Sequence, residues 1–419
     1  MDSTFLGAVS SYGRQEAVAV SFATIVVIFV MLMRRRYFSG ISQFNGPLLA
    51  SVSAVWQIWH VAKGDIEYAV LQEHKKHGSY RLILTLNHME IMAYIPIGDF
   101  VRISHQEVSC SHPDSIKAIL APPYRKVSYS DSKKSENSIT FMNVTDFIQA
   151  SWYQALAVPD KYHQTPMSEC DPRRHRERSS ITASSYTLSY LIQSEGRVDK
   201  CIQELQEQLT RLSKAGNAIH FDYWLNYVAF DIIGELTFSK NFGFVHEGAD
   251  IDNSIGSMRF LMIYQAIMGY MYWLHPFILH SPLAGYFGLK PHAHIFRTVS
   301  AAVQERQDNK NTNVDMVSQW IANHKKWPTR MEEREILAVS GMTTIAGSET
   351  MTGALESFFY FLLKNPECMS KLKEELKEAR WAGKLSSVVK HEEAKQLPYL
   401  QACVSFFHRF SIFIFYFMC

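Results

Sequence analysis

Long stretches of this chain place apolar residues at helical rather than alternating spacing. Residues 48 to 77 read as helical, with Trp56, Trp59, Ala69 and Leu71 among the apolar positions. The pattern shortens after Asp99, where Val101, Ile103 and Val108 suggest brief strands and His112-Pro113-Asp114 opens a helix through Leu120. Helix is expected again over 171 to 213, which begins with the basic run Arg173-Arg174-His175-Arg176-Glu177-Arg178, and over Phe221 to Phe238. That second segment is apolar-periodic yet holds two aspartates, Asp222 and Asp231. Residues 254 to 280 mix Met, Tyr and Trp, which suits either an adaptable apolar pocket or ordinary core packing. The stretch from about Thr329 to Lys364 is apolar nearly all round and predicts a helix buried at the centre of the protein. Asn365-Pro366 should end it and start the next helix, with Asn365 as N-cap and Pro366 at the first position. Over Glu367 to Arg380, Met369, Leu372 and Leu376 then share one face. No fixed-period repeat is present.

The N-terminus follows a different rule. Ala17 to Met33 is uncharged and apolar, and Arg34-Arg35-Arg36 follows at once. This reads as a single transmembrane anchor over 17–33, with residues 1–16 lumenal, 34–47 a basic flank and hinge, and the bulk of the chain cytoplasmic. A cleaved signal peptide would carry its positive charge before the apolar run, so the charge order argues against one. Phe44-Asn45-Gly46-Pro47 is turn-forming and separates the anchor from the body. Hydrophobic residues at 47% and charged residues at 20% describe a globular protein, and a formal charge of +2 gives no reason to expect a nucleic-acid partner. The six cysteines include no C-x-x-C pair, which fits a reducing compartment better than a disulfide framework or a zinc site.

Candidate chemistry sits in the central helix at Ile345-Ala346-Gly347-Ser348-Glu349-Thr350. A mid-helix glycine costs about 1 kcal/mol relative to alanine, so Gly347 should serve a close approach to the backbone. Thr350 can bond back to the carbonyl of Ala346 and loosen the ladder there. Glu349 is an ionisable group in an apolar stretch, expensive unless paired or hydrated. Together they suit holding a small ligand and delivering protons to it. A packing glycine beside a self-satisfied threonine is the bland alternative.

Ala346-Gly347-Ser348-Glu349-Thr350 resembles the central-helix signature of cytochrome P450 monooxygenases. The anchor with its basic flank, Gly46-Pro47, the His175-Arg176 helix and Leu397-Pro398-Tyr399-Leu400 agree in order and spacing. The stretch from Trp224 to Lys240 is similar to the fungal microsomal, pisatin-demethylase-like branch. The resemblance implies a mainly α, cytochrome P450-like helical domain with small β-sheets, preceded by one transmembrane helix and resident in the endoplasmic reticulum membrane. It implies haem as cofactor, an NADPH-cytochrome P450 reductase as electron donor, and an apolar small-molecule substrate in fungal secondary metabolism or detoxification. Glu349 and Thr350 would deliver protons, Ala346 and Gly347 would form the oxygen groove, and His175 and Arg176 would contact haem.

Four departures qualify this. The segments 79–98 and 127–150 read as insertions, so the partial cytochrome P450 domain is expected over 48–404. Residues 405–419 form an apolar aromatic tail where the family places its Glu-x-x-Arg pair and its haem-ligating cysteine loop. Val127-Ser128 and Val404-Ser405 both carry the dipeptide that an in-frame splice donor encodes, so the interruptions read as translated introns and the chain as truncated before the haem cysteine. Ser179 stands where the family places an arginine for a haem propionate. No metal ligand is therefore assigned, and haem is not expected to be bound productively. The chain itself is expected to be inactive; a non-catalytic, membrane-tethered helical protein or small-molecule binder is the second expectation.

Overall fold

The computed structural model describes residues 3–77, 84–86, 89–91, 100–111, 150–157, 164–216, 218–281, 286, 292–308 and 314–405. The chain divides into two compact units, Met1–Phe147 and Ile148–Cys419. The helix expected over 112–120, most of the 79–98 segment, positions 127–149 and the tail after Val404-Ser405 lie outside the described residues.

In the first unit, α1 (Ser3–Tyr37) is one continuous helix ending on the arginine triplet. The expected transmembrane anchor is corrected here: among the described residues no helix is long and apolar enough to cross a membrane. The uncharged run of this helix, Ala17 to Met33, is shorter than the roughly 20 residues typical of a bilayer-spanning helix, and the helix continues into three arginines. The single-pass reticulum topology expected from that anchor loses its basis.

Three shorter helices follow, α2 (Leu48–Val52), α3 (Val55–Lys63) and α4 (Ile66–His77). Gly64, in the left-handed conformation at φ 75°, closes α3. Two antiparallel ribbons complete the unit: β1 (Leu84–Leu86) with β2 (Met89–Ile91), and β3 (Phe100–Arg102) with β4 (Val108–Cys110). Arg102 is fully buried and donates to the carbonyls of Arg35 (2.8 Å) and Arg36 (3.3 Å) in the last turn of α1. A guanidinium there meets the negative end of the helix dipole and satisfies carbonyls that have no intrahelical partner. Gly46 is required beside it, since a Cβ at this position would lie 1.9 Å from the Arg102 carbonyl oxygen.

The second unit is helical in all its described elements. Its longer helices are α5 (Pro172–Thr182), α6 (Glu195–Lys214), α7 (Phe221–Phe238), α8 (Ser254–Met268), α9 (His275–His280), α10 (His292–Asp308), α11 (Met316–Lys326), α12 (Glu333–Lys364) and α13 (Pro366–Trp381). Asp171 caps α5 by accepting from the backbone N–H groups of Arg173 and Arg174, and Pro172 occupies the first helical position. The long helix expected over 171–213 is interrupted by 3-10 turns at Ala183–Tyr186 and Ile192–Ser194.

α7 and α12 form the centre of the unit. α7 is buried over most of its length and α12 chiefly between Ile336 and Ile345, and Phe230, Ile345, Val339, Phe296 and Trp320 belong to one continuous apolar core. Gly341 lets the Phe296 ring approach α12, since a Cβ would lie 2.6 Å from it. At the end of α12, Asn365 departs from expectation. Its side chain makes no N-cap bond to α13; Nδ2 instead donates to the carbonyl of Phe361 at 2.9 Å and satisfies the finishing turn of α12.

Candidate active site

α12 carries the expected motif and presents one face of it to a cavity of about 730 Å³. Val339, Met342, Thr343, Ala346, Gly347, Thr350 and Met351 supply that wall. Ile232, Ile233 and Leu236 of α7 supply a second, and Ser179, Thr182, Ala183 and Tyr186 of α5 and its following turn a third. The lining is mostly apolar, as expected of a small-molecule site, with a few hydroxyls. Two contacts hold α5 and its turn against α12. Arg178 is ion-paired with both Glu169 and Glu335, and the Tyr186 hydroxyl is 2.7 Å from Thr343 Oγ1.

The Thr350 hydroxyl donates to the Ala346 carbonyl at 2.7 Å, the back-bond that the spacing predicts, while the side chain stays exposed toward the cavity. Gly347 lines the same wall. The space left by its missing side chain is filled by Ile233: a Cβ there would lie 2.6 Å from Cδ1 and 3.0 Å from Cγ1. The close approach required at this glycine is therefore made by α7, and Ile233 is a cavity residue that periodicity alone could not single out.

Glu349 is not part of this wall. One residue before Thr350, it lies on the flank of α12, with Oε1 buried and lacking a hydrogen-bond partner among the described residues. Burial raises its pKa; nearby Arg259 of α8 opposes the rise and Glu356 adds to it. Glu356 one face along is also raised, by burial and then by Asp222. The two proton-handling candidates thus sit next to each other in sequence but face different surroundings.

His175 and Arg176 are in the first turns of α5, and neither lines the cavity. Arg176 Nε donates to the Pro172 carbonyl at 3.2 Å. Ser179, one turn further on, does line it, so the position expected to hold an arginine is the one that reaches the cavity in this chain.

The fit to haem is partial. An apolar chamber with a back-bonded threonine on its wall suits one face of the macrocycle. A haem-thiolate centre would also need a cysteine thiolate from the chain. None of the five described cysteines lines the cavity. Cys201 is sealed in the core, its thiol pushed up to about 12 mainly by burial, and burial likewise raises Cys170 and Cys403, the opposite of what a thiolate ligand requires. Cys419 lies outside the described residues. Among the described residues no group of three His, Cys, Asp or Glu side chains could hold a metal ion.

The chain is 25% identical over 386 residues to the cytochrome P450 monooxygenase hepC of Aspergillus oryzae, covering 87% of this chain and 66% of that protein. To the cytochrome P450 monooxygenase cicH of Emericella nidulans it is 27% identical over 393 residues, 91% of this chain and 70% of that one. A pisatin demethylase of Fusarium vanettenii is 24% identical over 377 residues, with 88% and 64% covered. The chain thus spans about two thirds of the length of the curated relatives it matches. A cytochrome P450 crystal structure superposes with a TM-score of 0.47 at 16% identity, over 60% of this chain and 53% of that one. The family model for cytochrome P450 matches residues 140–411, well over half of the sequence and nearly all of the second unit. The chain belongs to the cytochrome P450 family.

Proposed function

We propose that this chain supplies the oxygen-side wall of a haem-thiolate monooxygenase that oxidises an apolar small molecule, using dioxygen and NADPH-derived electrons passed on by a cytochrome P450 reductase. The observation that supports this is the 730 Å³ apolar cavity bordered by Ala346, Gly347 and Thr350. Haem, when bound, supplies the iron at which oxygen is activated. Ala346 and Gly347 keep the α12 wall of the cavity low, and Ile233 packs into the space beside Gly347. Thr350 holds its proton against the Ala346 carbonyl at 2.7 Å, a bond that a rotation of the hydroxyl exchanges for one to a ligand in the cavity. Glu349, kept protonated by burial to higher pH than an ordinary carboxylate, stores a proton one residue away. Because it stands off the lining, its transfer to Thr350 runs through water or a change of rotamer. His175 and Arg176 open the helix whose later residues reach the cavity, and their proposed part is to orient that helix toward haem. The finer placement in the pisatin-demethylase-like branch, with a role in secondary metabolism or detoxification, belongs to the same proposal.

By itself the 419-residue chain binds apolar ligands without activating oxygen, because no described thiol faces the cavity. A reduced carbon-monoxide difference spectrum of the chain expressed with haem supplied tests this, alongside titration with an apolar fluorescent probe. The expected result is saturable probe binding, weakened by Ala346→Trp, and no thiolate-haem band. A thiolate band would sink the claim of inactivity, and absence of saturable probe binding would sink the cavity as a ligand site.

A further inference from the structure

Cys368 and Cys403, neither of which lines the cavity, belong to two helices that pack against each other. Cys368 stands exposed in the first turn of α13, and Cys403 is half-buried in the helix over 398–405. Glu375 of α13 fixes how the two helices meet. Its Oε1 and Oε2 accept the backbone N–H groups of Tyr399 (2.7 Å) and Leu400 (2.9 Å), donors that the start of a helix leaves without an intrahelical partner. Cys368 lies two turns before Glu375, on the α13 face that buries Leu372, and Cys403 lies one turn after Tyr399. The Tyr399 hydroxyl bridges the two helices by a hydrogen bond to the Cys368 thiol, and the two thiols interact electrostatically with each other.

The sulfurs differ in access and in readiness to ionise. Burial pushes the Cys403 thiol up, and the neighbouring Cys368 and Glu375 add to the rise, so Cys403 keeps its proton to higher pH than an ordinary thiol. Tyr399 is pushed up to about 12, first by its hydrogen bond to Cys368, so its hydroxyl stays protonated at neutral pH and remains available to that sulfur. Thiol–disulfide exchange begins at an accessible sulfur and is completed by a second one within reach. Cys368 has the first character and Cys403 the second.

We propose that Cys368 and Cys403 form a dithiol modification site, at which a small disulfide of the glutathione class is reduced and the helix over 398–405 becomes covalently pinned to α13. The Cys368 thiolate attacks one sulfur of glutathione disulfide. A Cys368–glutathione bond forms, the glutathione S–S bond breaks, and one glutathione leaves as a thiolate that takes up a proton from solvent. Cys403 then gives its proton to solvent and attacks the Cys368 sulfur, forming the Cys368–Cys403 bond and expelling the second glutathione. Two protein thiols are oxidised and one glutathione disulfide is reduced to two thiols. In a reducing compartment such a bond is transient, and excess reduced glutathione reverses both steps. The site needs neither haem nor turnover, so it stands apart from the monooxygenase reading.

The test incubates the folded full chain with oxidised glutathione, quenches with an alkylating agent and maps the cysteine peptides by mass spectrometry. The unaltered chain should yield a Cys368–Cys403 cross-linked peptide, with a melting temperature that rises on oxidation and falls back with dithiothreitol. Cys403→Ser should instead accumulate a stable glutathione adduct on Cys368, and Cys368→Ser should form neither product. A glutathione adduct that persists on Cys368 in the unaltered chain overturns the proposal, because Cys403 would then be out of reach. So does an unmodified Cys368, a cross-link formed equally well with other cysteines, or a cross-linked chain that melts no higher than the reduced one. The decisive readings come from the unaltered chain, so a variant that fails to fold does not blunt them.

Discussion

Gly347 is a residue where helix propensity and close packing oppose each other. Alanine there would gain about 1 kcal/mol of helix propensity. Its Cβ would meet Ile233 at 2.6 Å, and overpacking of this kind typically costs about 1–3 kcal/mol. Gly347→Ala should therefore destabilise the protein by roughly 1 kcal/mol net in urea unfolding. Adding Ile233→Val removes the clashing Cδ1 and should restore most of the loss; equal effects of Gly347→Ala in both backgrounds would exclude contact with Ile233 as the cause. Glu349 makes a pH-dependent case. Its folded pKa is raised above the ordinary carboxylate value, so the folded state binds the proton more tightly. Stability from this group is then fully present below the unfolded pKa and declines as pH rises through the folded one. Glu349→Gln removes the ionisation, so the melting temperature of the variant relative to the parent should climb between pH 4 and pH 8. A flat difference across that range would show that the buried carboxyl titrates normally.

At the scale of elements, Asp231 does for α7 what no periodicity announces. Fully buried, it accepts the backbone N–H groups of Gly243 (2.8 Å), Phe244 (3.1 Å) and Val245 (2.9 Å), and so folds the following turn back onto the helix. Asp231→Ala leaves those donors unpaired, and a loss of about 2–4 kcal/mol is expected at roughly 1–3 kcal/mol per stranded buried group, part of it recovered by relaxation. Hydrogen exchange should quicken first at residues 243–245; unchanged protection there would mean that the turn is held by packing alone. The helices themselves were legible. Phe221–Phe238 matches its expected bounds, and the central helix differs only in starting at Glu333 rather than near Thr329. Periodicity reads such segments well because a buried helix repeats its apolar positions. It cannot read which residues 12 to 14 places away will need an aspartate, nor that Asn365 turns back onto α12. The motif on α12 was legible as a set but not as a geometry. Residues 346, 347 and 350 share a face, whereas 349 is rotated off it, and only the packed structure shows which face the cavity takes. The anchor misled because its apolar run and basic flank satisfy the charge rule while the described helix does not reach the required apolar length.

At the scale of the whole molecule, the continuous apolar core runs from Ile181 to Ile345 and is contained in the unit Ile148–Cys419. All the residues lining the cavity are within that unit. So are the polar connections that fix its helices. Asp315 is wholly buried, caps α11 through the Ser318 N–H, and is ion-paired with Arg306 at 2.6 Å while accepting from the Ser239 hydroxyl at 2.8 Å. A core and a buried ionic network complete within one stretch of chain are what an independently folding domain requires. Residues 148–419 expressed alone should thus show strong helical circular dichroism and a single cooperative melt. They should also keep the apolar-probe response of the full chain. Asp315→Ala in that fragment removes the Arg306 ion pair, the Ser239 hydrogen bond and the cap of α11 together, and should lower the melt. A fragment that melts without cooperativity, or an Asp315→Ala fragment as stable as its parent, would show that the unit depends on residues before 148 for its folding.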